Sequence, residues 1–358
     1  MKIQANRRLE KLNCNINTDE DIILLKALSE AFAPSGFEDK AAEIILGYIK
    51  NFADECTVTP DGSVIAKICG KDNAPNSSKL MIQAHMDEVG FMIKSADEGG
   101  TLRIAPIGLS DIRLLVGRKV TVSGAHGVKY PGFIGVRPVH LTSKCAVPEI
   151  CDIYVDIGAK SHEEALAAAP LASFGTFVSD FMTFGHENHM IGGKALSNRA
   201  CCAVMCKIIR NLKTNDIPIP CDTYFAFTCR ANTPVSSVQS VTYRIKPTHS
   251  LSLIGSSEKK RGDGVILTPS ANEVPLDHTL FKDLQQISEK QGISHAVSAS
   301  VDCRDTLTAQ RCGVSASVIS FHCDGIGSET ETAALNDITA LCELTRALII
   351  DFSQITKL

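Results

Sequence analysis

The sequence has little net charge, no paired-cysteine motif, no long apolar run and no internal repeat, and each absence removes a class of function. Basic residues number 36 against 40 acidic, a net charge of −4. That balance gives no electrostatic reason to expect nucleic acid or an anionic membrane surface as a partner. The 14 cysteines contain no CxxC pair. Several, such as Cys201, Cys202 and Cys206 in RACCAVMCKII, lie in apolar segments where a thiol behaves as a small hydrophobe. A chain of 358 residues builds its core without disulfide staples, so reduced thiols in a cytosol are expected. No uninterrupted apolar run approaches the roughly 20 residues of a membrane span. The N-terminal stretch MKIQANRRLEKLN is basic but lacks the apolar core and cleavage site of a signal peptide. A cytoplasmic protein is expected, with a peptide or small molecule as ligand and with neither nucleic acid nor membrane as partner.

What is present points to a globular chain of about two domains by length. Hydrophobic residues make up 44% and charged residues 21%, the balance of a folded protein rather than a disordered one. Apolar spacing predicts amphipathic helices over 19–32 and 39–51, the first stopped by Pro34-Ser35-Gly36. Pro60-Asp61-Gly62 between short β-type runs predicts a hairpin, and the polar stretch 70–78 a break. From about residue 91 to 183 the character changes to short apolar stretches punctuated by Gly and Pro, a small β-rich unit. Within it only SHEEALAAA looks helical, capped by Ser161 with Glu164 three residues on. After about 183, helices over 199–212, 235–245, 277–291 and 336–352 alternate with strands over 223–229, 250–254, 295–301 and 315–321. Helices between single strands imply crossovers. The expected fold is therefore α/β: a mainly parallel sheet with helices on both faces over 18–90 and 184–355, interrupted by a β-rich insertion over 91–183. RGDG at 261–264 reads as a turn in a solvated, basic loop.

The stretch KLMIQAHMDEVGFMIK, residues 79–94, is the centre of this organisation. Leu80, Met81 and Ile82 read as a strand buried on both faces, ending in His85, Asp87 and Glu88. Ligands collect beyond the carboxyl ends of strands in open α/β sheets. An imidazole with a carboxylate two residues on suits metal binding, with Asp87 fixing the tautomer of His85. The plain alternative is a strand-end His hydrogen-bonded to a neighbouring loop.

AFAPSGFED (31–39), PDGSVIAK (60–67), AHMDEVGFMI (84–93), VDIGAKSHEEA (155–165) and GGKALSNR (192–199) resemble, in unbroken order, the tetrahedral or deblocking (glutamyl-type) metallo-aminopeptidases of the dizinc clan. The resemblance covers about residues 18–352. It implies an α/β catalytic domain with two bridged metal ions, interrupted by a β-rich dimerisation domain, and dimers that assemble into a hollow tetrahedral dodecamer.

The resemblance also assigns roles position by position. His85 matches the first metal-binding His and Asp87 its orienting Asp. The bridging carboxylate falls on Ser197, and the general base and a metal ligand fall on Ala231 and Asn232. A metal-binding Asp falls on Ile254 or Gly255, and the last His on Gly327, with Ser328 and Glu331 kept. Two divalent ions at roughly 3.5–4 Å need a bridging carboxylate and further anionic or imidazole ligands. Ser197, Ala231, Ile254 and Gly327 supply none, and Ala231 offers no base for an attacking water. The expectation is a degenerate member holding no metal, or at most one zinc or cobalt ion. It would serve as a non-catalytic binding or assembly subunit, a homo-oligomer or a mixed oligomer with an active paralogue. Two alternatives stand beside it. One is a metal-dependent aminopeptidase releasing N-terminal residues through displaced ligands, with His322, Asp324 or Cys229 as substitutes and with Asp302, Cys303 and Asp305 following another strand. The other is a new non-metal activity in the old cavity, using Cys229, Ser197 or His85.

Overall fold

The computed structural model describes residues 14–71, 78–109, 111–136 and 148–352. The basic N-terminal stretch and most of the polar break at 70–78 lie outside them. Helix α1 (Asp19–Glu30) starts where Thr18 and Asp21 cap each other reciprocally, and α2 (Asp39–Ile49) follows. Strands β1 (Glu55–Val58) and β2 (Val64–Ile68) form the expected hairpin, with Gly62 at φ 92° accepting the turn that its lack of a Cβ permits. Strand β3 (Lys79–His85) is buried along nearly its whole length. Leu80 and Ile82 enter one core with Leu24, Leu28 and Ile45, whereas Met81 enters another with Val238, Val241 and Ile245. That alternation is the period of two that a strand covered on both faces must show.

Directly after β3 the chain enters a closed barrel. Its strands are β4 (Gly90–Ala96), β5 (Leu102–Ile107), β6 (Lys119–Ser123), β7 (Lys129–Val136), β8 (Ile153–Asp156) and β9 (Phe174–Phe177), in the spatial order β4-β5-β8-β7-β6-β9. Phe91, Ile104, Val122, Ile134, Val155 and Phe177 fill a core of its own. Closure leaves no free sheet edge. Helix α3 (His162–Ala168) begins at Ser161, whose hydroxyl accepts from the Glu164 amide at 3.2 Å.

The chain rejoins the large sheet with β10 (Met182–Phe184) and β11 (Met190–Gly193), then runs through α4 (Leu196–Thr214), β12 (Asp222–Thr228), α5 (Val238–Ile245), β13 (His249–Ser256) and β14 (Val265–Leu267). A small hairpin, β15 (Ser270–Ala271) and β16 (Val274–Pro275), precedes α6 (His278–Gln291), β17 (His295–Val297), α7 (Arg304–Arg311), β18 (Ser315–Asp324), β19 (Glu331–Ala334) and α8 (Leu335–Asp351). The sheet order is β1-β2-β12-β3-β13-β18-β19-β11-β10, with β14 on β18 and β17 on β14. The fold is α/β as expected, but the sheet is mixed. Parallel pairing runs through the four central strands β12, β3, β13 and β18, and the flanks β1-β2-β12 and β18-β19-β11-β10 are antiparallel. Helical crossovers serve the centre, and tight reversals build the flanks. The RGDG turn docks on α8, its Gly262 and Gly264 amides donating to the Asp337 carboxylate at 2.9 and 3.0 Å. No helix among the described residues is long and apolar enough to cross a membrane.

Candidate functional site

Because β12, β3 and β13 are parallel neighbours, their carboxyl ends open on one side of the sheet. A cavity of about 340 Å³ lies there. His85 ends β3, Ala231 and Asn232 follow β12, Ile254 and Gly255 end β13, Ser197 stands in the first turn of α4, and all of them line it. The fold thus brings together six residues that the sequence pointed to separately, with Asp302, Cys303 and Asp305 beside them. Gly327 lies in an adjoining, smaller recess with Ser197, Ser328 and Glu331.

Asp87 is fully buried, and both its oxygens are surrounded by protein hydrogen-bond partners. Its Oδ1 faces His85 Nδ1 at 3.0 Å and accepts from the Ala231 amide at 3.2 Å. Its Oδ2 accepts from the Ser35 hydroxyl, the Asn232 amide at 3.1 Å and the Asn232 side chain at 2.8 Å. Burial alone would raise its pKa. The imidazole and these donors more than reverse that, holding Asp87 well below the usual carboxylate range. An ionised Asp87 places the proton of His85 on Nδ1. The neutral ring then keeps its Nε2 lone pair available. Burial disfavours the imidazolium of His85, but Asp87, assisted by Asp305 and Glu331, outweighs it, and its pKa rises above the ordinary value.

Glu88, the next residue, serves a different purpose. Its carboxylate meets Lys194 Nζ at 2.9 Å and Arg199 Nη2 at 3.3 Å and accepts from the Ala33 amide at 2.9 Å. Burial raises its pKa, but Lys194 and Arg199 prevail and hold it low. Arg199, 1% exposed, spends its other donors on the carbonyls of Met86, Leu28, Ser29, Ala31 and Ala33. Those of Leu28 and Ser29 lie in the last turn of α1, where carbonyls lack the i+4 partner of the helix interior. Arg199 therefore ties α1, the end of β3 and α4 together immediately behind the cavity.

The remaining positions explain each other through helix α4. Ala195, at φ 55°, precedes it without a side-chain cap. The cap comes from across the sheet: Glu331 on β19 accepts from the Ser197 amide at 2.6 Å and from the Gly327 amide at 2.8 Å. A carboxylate at a helix N-terminus answers both the free amides and the dipole. Burial nevertheless exceeds these donors and raises the pKa of Glu331. Gly327 adopts φ 78°, a conformation in which a side chain is strained. A Cβ on Gly255 would lie 2.6 Å from the Ser197 Cα. Only glycine lets β13 approach α4 so closely, whereas the Ile254 side chain packs with Ala271, Val301 and Cys303.

Asp305 is the residue with the weakest sequence signal. It sits at the start of α7, a helix whose apolar periodicity is too thin to predict it. Burial raises its carboxyl pKa against the pull of His85 and the Ser236 hydroxyl. The three candidate substitutes do not line the cavity. His322 pairs with Asp324 at 3.1 Å and with the Glu258 carbonyl at 3.3 Å, and Asp324 also pairs with Arg261. Cys229 is buried beside Ser237, its thiol pushed far up by burial. His322 and Asp324 hold each other, and Cys229 packs in the main core. Among the described residues, no three His, Cys, Asp or Glu side chains converge as a metal site.

A putative aminopeptidase of Acetivibrio thermocellus is 28% identical over 343 residues, 91% of this chain and 98% of that protein. A TET aminopeptidase from a marine sediment archaeon of the Thaumarchaeota superposes with a TM-score of 0.86 at 25% identity, over 93% and 96% of the two chains. A TET peptidase of Pyrococcus horikoshii, which can assemble into a tetrahedron or a large octahedral shell, superposes with a TM-score of 0.82 at 26% identity, over 92% and 99%. The model of the M42 glutamyl aminopeptidases matches residues 62–344, a span that takes in β3 with His85, the whole barrel and the cavity-lining ends of β12 and β13. The chain belongs to the M42 glutamyl aminopeptidase family.

Proposed function

We propose that this chain is an aminopeptidase-family protein without dizinc peptidase chemistry, acting as a binding or assembly subunit. The observation that carries the reading is the use made of the surviving polar groups. Both oxygens of Asp87 are occupied by donors, three of them from Ala231 and Asn232, the positions where the resemblance implies a general base and a metal ligand. Both oxygens of Glu331 are occupied by the amides of Ser197 and Gly327, where it implies a bridging carboxylate and an imidazole. The donor set does not fit two divalent ions, which need several anionic or imidazole ligands to offset their repulsion. The 340 Å³ cavity has room for a peptide end or a small molecule. A homo-oligomer, or a mixed shell with an active relative, is the assembly the reading entails.

Metal content after equilibration with excess zinc or cobalt and desalting tests this directly. No retained metal, with no chelator-sensitive cleavage of free N-terminal peptides, is the expected result. Two equivalents per chain with such cleavage overturns the reading. Asp305 favours one competing reading, an aminopeptidase working through a displaced ligand set, because its carboxyl faces the same cavity as His85. One equivalent of metal that is lost in both His85→Ala and Asp305→Asn would establish that reading instead. Co-expression with an active relative that yields only separate homo-oligomers would remove the mixed shell.

A further inference from the structure

Cys14 and Cys342 are 328 residues apart in sequence, and their sulfurs face each other at 2.6 Å. Both are completely buried. Cys14 lies in the segment leading into α1, and Cys342 lies on the inner face of α8. A second contact fixes the same register: the Ile16 amide donates to Thr339 Oγ1 at 3.1 Å. Thr339 and Cys342 are three apart on one helix face, and Cys14 and Ile16 are two apart in the segment before α1, so the contacts reinforce each other. Lys207, held by Asp21 at 2.7 Å, and Arg346, one turn beyond Cys342, bring positive charge towards the sulfurs.

We propose that Cys14 and Cys342 are an oxidation site that closes into a disulfide, fastening the segment before α1 onto α8. Forming the bond, at about 2.05 Å, requires only a small further approach of two side chains already directed at each other. The chemistry balances with a peroxide as oxidant. One thiolate attacks a peroxide oxygen; an S–O bond forms, the O–O bond breaks, and the departing hydroxide takes a proton to leave as water. The second sulfur attacks the resulting sulfenic acid; the S–S bond forms, the S–O bond breaks, and a second water leaves. Two thiols lose two electrons in total and one peroxide gains them. Burial raises the Cys342 thiol well above its ordinary value, with Lys207 and Arg346 opposing, so oxidation is slow and favours a small oxidant. Both thiols are free in the structure, as the expectation of reduced thiols has it, and the oxidation proposed here stands independently of the cavity's function. Its effect is on the unfolded chain, nearly all of which it would enclose in one loop.

Full-length protein treated with hydrogen peroxide or with dithiothreitol, then denatured in iodoacetamide and digested, gives the answer by mass spectrometry. A Cys14–Cys342 linked peptide that disappears on reduction is expected, together with a melting temperature several degrees higher in the oxidised sample. Cys14→Ser and Cys342→Ser should each abolish both signals. Recovery of Cys14 and Cys342 as separate alkylated peptides after peroxide overturns the proposal. So does linkage confined to the exposed Cys56, Cys69 or Cys151, or a temperature difference that persists in either variant. Should one variant fail to fold, the other and the wild-type peptide map still decide.

Discussion

Asp87 and Glu88 are neighbours at the end of one strand, yet they belong to two differently built polar regions. On the Glu88 side, Lys194 and Arg199 answer a buried carboxylate with full charges, and Arg199 collects backbone carbonyls from α1 and β3. On the cavity side, Asp87 is answered by an imidazole and neutral donors, Glu331 by two amides, and Asp305 by His85 at a distance and a hydroxyl. Burial therefore loses against Glu88 and Asp87 but wins against Glu331 and Asp305. The difference teaches which region the fold depends on. The network behind the cavity is compensated and structural, whereas Asp305 in the cavity and Glu331 in the adjoining recess remain electrostatically under-compensated.

Breaking the Glu88 side should have the largest effect. Glu88→Gln leaves two buried cations without their anion and should cost roughly 3–5 kcal/mol of unfolding free energy, measured by urea titration. Its pH signature follows in sign. The folded-state pKa of Glu88 is lowered, so its contribution is present above the ordinary glutamate range and is lost as pH falls through the folded value. The variant should lose that part of the acid sensitivity. Asp87→Ala comes next. It orphans donors from Ser35, Ala231 and Asn232 and should cost about 2–3 kcal/mol by the same titration, with the His85 pKa falling, as read by NMR.

Asp305→Asn should act in the opposite direction. The folded-state pKa of Asp305 is raised, so its favourable contribution is complete below the ordinary aspartate range and is lost as pH rises through the folded value. Above the folded value the charged form is a burden. Removing it should raise stability by about 1 kcal/mol, a gain that shrinks towards pH 4, as followed by thermal melts. A loss of stability at pH 7 would show that Asp305 is compensated as fully as Glu88. The smallest change is Ser161→Ala, in the barrel and remote from both regions. Loss of the α3 cap should cost about 1 kcal/mol and leave the His85 titration unmoved, giving the baseline against which the others are read.

Much of this arrangement was legible along the chain. Apolar runs, the PDG turn and the Ser161 cap placed β3, the hairpin and α3 because each depends on residues within a few positions of one another. His85 and Asp87 were legible as a pair for the same reason. The mixed character of the sheet was not, since strand direction at β19, β11 and β10 depends on pairings between distant segments. Helix α7 was missed because RDTLTAQR has too few apolar residues to announce a face. The substitutes His322, Asp324 and Cys229 were plausible by spacing alone. In the fold His322 and Asp324 meet partners that no spacing rule contains, and Cys229 packs in the core.

By itself the sequence determined the element order, the family resemblance and the residue types available at each position, because these are properties of a linear pattern. Only the tertiary structure decided what those residues do. It made Glu331 the cap of α4, required glycine at 255 where β13 meets Ser197, and set Asp87 and Glu88 into separate networks. It also brought Cys14 to Cys342 across the length of the chain. Hydrogen bonds and Coulomb interactions act over a few ångströms of space, and separation in sequence carries no information about which distant groups will come that close.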